Sequence, residues 1–168
     1  MSLSMHQISL PVFLRMLKNL SAILDKAESF AAARKIEPDV LLNARLAPDM
    51  FPLKRQVQLA SDFAKGAAAR LSGQDIPKWE DAEASFADLK ARLAKTADYV
   101  ASVTPAQLEG SEGRDIALTI AKQPVTLNGQ IFLLNYAFPH FFFHVTTAYD
   151  ILRHNGVEIG KRDYMGPI

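Results

Sequence analysis

PLKRQVQLASDFAKGAAARLSG, residues 52–73, reads as one long amphipathic helix. Leu53, Val57, Ala60, Ala64, Ala67 and Leu71 recur at three- and four-residue steps, which gathers them on one helical face. Gly73 supplies the stop, because glycine enters the left-handed conformation that closes a helix without a steric penalty. The alanines of the stripe allow a neighbouring helix to come close. A stripe of this kind gains most of its stability by packing, so the segment predicts partners of the same type.

Two partners flank it. Upstream, Phe13, Leu17, Leu20, Leu24, Ala27 and Ala31 predict a helix over residues 9–35, with Pro11 in its first turn and Arg34 and Lys35 at its negative end. Downstream, Ala82, Phe86, Leu89, Leu93, Thr96 and Val100 predict a helix over residues 80–103. Glu80, Asp81 and Glu83 suit its N-terminus, Trp79 reads as a hydrophobic staple before it, and Thr104-Pro105 ends it. The connection over residues 36–51 is punctuated by Pro38 and Pro48, with a short helix expected over residues 39–44. Asp49 either caps the helix that follows or sets a carboxylate beside a pocket.

Residues 114–134 change period. Ile116, Leu118 and Ile120 alternate with small or polar residues, and Asn128-Gly129 is a strong hairpin signal, so a small β excursion is expected over residues 115–127. A last helix then starts near Gly129, is kinked or restarted at Pro139, and stops at Asn155-Gly156. The tail, residues 157–168, is expected to pack back through Ile159, Tyr164 and Met165. The fold class is therefore mainly all-α: an antiparallel four-helix bundle with a small β-hairpin before the last helix, in one domain over residues 1–168.

Composition narrows function. Nineteen basic residues against eighteen acidic ones leave a net charge of +1, so no broad electrostatic grip on nucleic acid or an anionic membrane is expected. The chain has no cysteine, which excludes disulfides, thiolate metal sites and a cysteine nucleophile. Arg15 and Lys18 interrupt the first apolar stretch, unlike a secretory signal, and Asn135, Pro139 and His140 break the most apolar run, residues 131–145, which is too short to span a bilayer. A soluble, cytoplasmic protein is expected. Gly-rich phosphate loops, Gly-x-Ser-x-Gly elbows and paired-carboxylate helix motifs do not occur.

The chemistry concentrates in Phe138-Pro139-His140-Phe141-Phe142-Phe143-His144. His140 and His144 are four residues apart, so their imidazoles share a helical face and could bind one divalent ion such as Zn²⁺ or Ni²⁺. A third ligand is needed. His6 and His154 are poorly placed, and Gln56, Asp49 and Asp62 are the polar candidates on or near the second long helix. The same pair also suits a plainer role, with His140 capping the helix or meeting solvent and His144 hydrogen-bonded inside a pocket. Asp49, Gln56, Phe141 and Tyr149 are the candidate pocket residues, although Tyr149 lies about 140° around the helix from His144. The phenylalanines of residues 132–143 can form core, a dimer interface or a ligand wall.

His140-x-x-x-His144 followed by Leu152-Arg153-x-x-Gly156 resembles the last helix of the DinB/YfiT-like superfamily. The likeness is to an uncharacterised bacterial branch of it and extends over nearly the whole chain. It rests on residues 47–53 (APDMFPL), Gln56-Val57, residues 142–149 (FFHVTTAY), residues 152–156 (LRHNG) and residues 160–166 (GKRDYMG). The resemblance implies a four-helix bundle, a homodimer and, in many members, a three-histidine metal site serving transferases or hydrolases. Two of its ligands would fall on His140 and His144. The third, a histidine on the second long helix, is missing here, since residues 51–72 hold none, and the family's Arg-Gly-Gln after the second histidine is Val145-Thr146-Thr147. Two functions are carried forward: a metal-free dimeric protein that binds a small ligand or serves a structural role, and a metal-dependent transferase or hydrolase using His140 and His144.

Overall fold

The computed structural model describes residues 3–167. Its long helices are α1 (Met5–Ala33), α3 (Leu53–Ser72), α4 (Phe86–Ser102) and α6 (Phe138–His154), with short helices α2 (Pro38–Leu42), α5 (Gly129–Phe132) and α7 (Lys161–Met165). One antiparallel hairpin, β1 (Asp115–Ile120) and β2 (Gln123–Asn128), pairs Asp115 with Asn128 and Ile120 with Gln123. The chain is thus mainly helical with a two-stranded sheet. Helix α3 packs chiefly on α6 and α4, and α1 on α4. Among the described residues, no helix is long and apolar enough to cross a membrane.

The predicted stripes form the core except at Ala82, which is exposed before α4. Phe13, Leu17, Leu20, Leu24, Ala27 and Ala31 of α1 are buried, as are all six stripe residues of α3. Gly73 closes α3 at φ 72°. Helix α1 starts four residues earlier than expected. Ser4 and Gln7 form a capping box there: the Gln7 amide donates to Ser4 Oγ (3.2 Å) and the Ser4 amide to Gln7 Oε1 (3.0 Å). Pro11 therefore sits in the second turn, on the exposed side, where the Gln7 carbonyl that it leaves without a donor can turn to water.

Helix α4 starts six residues later than expected, at Phe86, behind Ser85, whose Oγ accepts from the Asp88 amide (3.1 Å). The acidic residues before it bind side chains instead of capping it. Buried Arg92 donates to Glu83 (2.8 Å), Asp62 (2.9 Å) and the Glu80 carbonyl (3.1 Å), and pairs with Asp81 (3.0 Å). Trp79 is not a staple. Its ring takes the Lys65 and Lys95 ammonium groups, 4.3 and 4.6 Å from its centroid.

The hairpin turns at Ala121-Lys122, both left-handed (φ 49° and 66°), and not at Asn128-Gly129. Asn128 instead caps α5 by accepting from the Ile131 amide (2.9 Å). Gly129 is required by close approach, because a Cβ there would lie 1.8 Å from the Ser111 carbonyl oxygen. Between α5 and α6 the chain makes a π-helical turn, Leu133–Ala137. Pro139 has no N–H to offer the Asn135 carbonyl and its ring crowds that carbonyl, and a wider turn relieves the crowding.

Helix α6 ends at Asn155, with Gly156 at φ 91°. The tail then docks on α1 mainly through polar contacts. Asn19 donates to the Tyr164 carbonyl (2.9 Å), Arg15 to the Met165 carbonyl (3.0 Å), and Lys26 pairs with Asp163 (2.6 Å). Ile159 is buried as expected, whereas the Met165 side chain is exposed.

Candidate functional site

One face of the chain before and along α6 presents Tyr136, His140 and His144 at four-residue steps. All three rings lie against Phe63 of α3, with centroids 6.0, 4.4 and 5.6 Å away. The His140 ring is nearly parallel to Phe63 (8°) and also meets Tyr136 at 4.5 Å. The neighbouring stripe, Asn135, Pro139 and Phe143, is exposed. Together with Phe51, Leu59 and Phe63 these residues line an open, largely apolar depression of about 650 Å³ between α3 and α6, and both histidines line it. A second depression, about 320 Å³ beside Trp79, is bordered by charges already paired, Glu83 with Arg92 among them.

His144 is the polar group at the floor of the depression, 8% exposed. Its Nδ1 is 2.8 Å from Gln56 Oε1, and Gln56 Nε2 donates to the Phe51 carbonyl (3.1 Å). This chain fixes the proton. The Phe51 carbonyl can only accept, so the Gln56 amide must turn its NH₂ toward Phe51 and its oxygen toward the imidazole. That oxygen also only accepts, so Nδ1 carries the hydrogen and Nε2 keeps a lone pair. Burial, then the neighbouring His140 and Arg55, lower the His144 pKa to about 4. Burial lowers that of His140 as well. Near neutral pH the floor is therefore an uncharged acceptor.

The sequence candidates separate here. His140, His144 and Gln56 come together, but Gln56 is not a third metal ligand, since its oxygen takes the Nδ1 hydrogen. Asp62 is drawn away by Arg92 and Lys65, which lies 2.9 Å from it. Among the described residues, no group of three or more His, Cys, Asp or Glu could hold a metal ion. The three-donor centre that the resemblance implied does not fit these side chains. His154 is exposed at the end of α6. Phe141 is fully buried and packs edge-on against Phe13 (4.9 Å), so it is core and not pocket wall. Tyr149 packs against Tyr164 (5.9 Å), away from the depression. Asp49 is exposed in the turn before α3 and does not cap it; Pro52 holds the N-cap position.

Phe143 lines the depression, one of the roles expected for the phenylalanines of residues 132–143, whereas Phe51, Leu59, Phe63, Asn135 and Pro139 were not expected in the lining. A helical signal for them exists. Gln56, Leu59 and Phe63 form a second stripe beside the apolar one on α3, and Asn135, Pro139 and Phe143 recur at four-residue steps.

A family model described as a domain of unknown function, DUF1993, matches residues 5–165. A crystal structure of a DinB family member protein from Shewanella denitrificans is 45% identical, covering 97% of this chain and 92% of that one, with a TM-score of 0.91. No curated protein matches. With these likenesses along almost its whole length, the chain belongs to the DUF1993 family, a DinB-like family of unknown function.

Proposed function

We propose that this protein is a metal-free, dimeric, cytoplasmic binding protein for a small apolar ligand, built as an antiparallel four-helix bundle. The packing of α3 on α4 and α6, and of α1 on α4, supports the frame. One observation carries the binding role: an apolar depression of about 650 Å³ whose floor is a single oriented acceptor, His144 Nε2. Small-molecule sites commonly combine apolar walls with a few placed polar groups, at volumes of roughly 300–1,000 Å³. The hydrogen bonds through Gln56 hold that acceptor in place before any ligand arrives, which lowers the ordering cost of binding.

Phe51 and Phe143, 55% and 54% exposed, flank the opening, and a second copy covering them would close it. Sedimentation of purified protein checks the dimer, and a monomer throughout the micromolar range would remove it.

The binding role is tested by titrating uncharged aryl and alkyl fragments while following the methyl signals of Leu59 and the ring signals of Phe51 and Phe143 by NMR. Saturable shifts confined to these residues are expected. Shifts scattered over the surface, or none at millimolar fragment, would refute the role. The metal-dependent reading has its own test: metal content of protein purified without a nickel column. A stoichiometric ion lost on His144→Ala would reverse the choice made here.

A further inference from the structure

The depression also specifies what kind of ligand it takes, given the binding role proposed above. We infer that it selects a neutral aromatic molecule bearing a hydroxyl group, which donates its hydrogen to His144 Nε2, over the same ring without a donor and over the corresponding carboxylate.

Three features lead there. First, the polarity of the floor is set by the protein. The Phe51 carbonyl orients the Gln56 amide, Gln56 orients the imidazole, and His144 is left with only a lone pair to offer at the floor. A ligand that can only accept meets lone pair against lone pair, whereas a hydroxyl completes the chain. Second, the walls are flat. Phe51 and Phe143 are exposed, and His140 stacks on Phe63, so the lining is rich in flat rings, which suits a planar body better than a branched one. Third, no lysine or arginine lines the depression. The guanidinium that acts on His144, that of Arg55, lies outside the lining, 6.0 Å from the Phe51 ring centroid, and its charge is offset by pairing with Asp81. A carboxylate would lose its hydration there without a counter-charge.

His144 does not become a donor to suit an anion near neutral pH, since burial keeps it uncharged down to about pH 4. His140 and Asn135 are the other polar side chains of the lining, nearer the rim, and either can meet a second polar substituent on the ring.

Phenol, toluene and benzoate separate the features, because they share one ring and differ in the donor and the charge. Each is titrated at pH 7.5 into protein labelled with ¹⁵N at histidine, and into His144→Phe, which keeps an aromatic side chain and removes the acceptor. Phenol is expected to bind about three- to tenfold more tightly than toluene, the ratio that one net hydrogen bond provides. It should also exceed benzoate by at least that factor, move the Nε2 resonance of His144 upfield, and lose its advantage in His144→Phe. The wild-type resonance decides the matter even if that variant fails to fold. Equal binding of phenol and toluene with Nε2 unmoved, or tighter binding of benzoate, would overturn the donor rule and leave the small-ligand role standing. No response to any of the three at millimolar concentration would overturn both.

Discussion

Acid should destabilise this protein through one side chain. In the unfolded chain His144 takes up its proton near pH 6.5, whereas in the folded protein burial and the neighbouring His140 and Arg55 lower its pKa to about 4. A base whose folded pKa is depressed supports the fold fully above the unfolded value. That support fades as pH falls from 6.5 toward 4, because the unfolded chain binds the proton first. Each pH unit between the two values corresponds to about 1.4 kcal/mol, so the loss at pH 4.5 is about 2–3 kcal/mol. The lower figure allows for water reaching Nε2 through the mouth of the depression. The measurement is urea unfolding at pH 7.5 and 4.5 for wild type and for His144→Phe. Groups remote from residue 144 cancel between the two proteins, and repeating the pair in a His140→Phe background removes the one histidine coupled to it, so the difference between the two pH dependences isolates His144. Wild type should lose about 2–3 kcal/mol more than the variant. In parallel, long-range ¹H–¹⁵N spectra at pH 7.5 should show the Nδ1–H tautomer. A difference below about 0.5 kcal/mol, the usual error of such comparisons, would refute the electrostatic reading. An Nε2–H tautomer would refute the hydrogen-bond chain from Phe51 through Gln56.

Three further outcomes are expected. Gln56→Leu strands the Nδ1 hydrogen and the Phe51 carbonyl and should cost about 1–3 kcal/mol; a loss under about 0.5 kcal/mol in urea would mean that water replaces the amide freely. Arg92→Met leaves Glu83, Asp62 and Asp81 without their buried cation and should cost about 3–5 kcal/mol. Amide exchange should then quicken first over residues 74–85, and uniform acceleration across α3 and α4 would contradict their being held by that guanidinium. Replacing Ala121-Lys122 with Asn-Gly should stabilise by about 1 kcal/mol, because both positions are left-handed; an unchanged melting temperature would argue against such a turn.

Much of the architecture is legible in periodicity. The stripes of α1, α3 and α4 follow from residues a few places apart, and Gly73 and Gly156 mark the ends of α3 and α6 for a purely local steric reason. The errors occur where local signals compete. Asn128-Gly129 satisfies hairpin chemistry, but Ser111 leaves no room for a Cβ at residue 129 and Asn128 serves better as a cap. Glu80, Asp81 and Glu83 suit a helix start, but buried Arg92, 9 to 12 residues further on, needs their oxygens. The histidine pair was visible from its spacing alone, and what faces it was not.

By itself the sequence determines which segments become helices, which of their faces must be buried, and that two imidazoles share a side of the last one, because these depend on a repeat of 3.6 residues and on side-chain size. Tertiary structure alone decides what the imidazoles do. Gln56 meets His144 across 88 residues of chain, and its direction is set by a backbone carbonyl at Phe51. Hydrogen bonds are directional and act over about 3 Å, so the choice between ligand and acceptor is made only once α3 and α6 are packed.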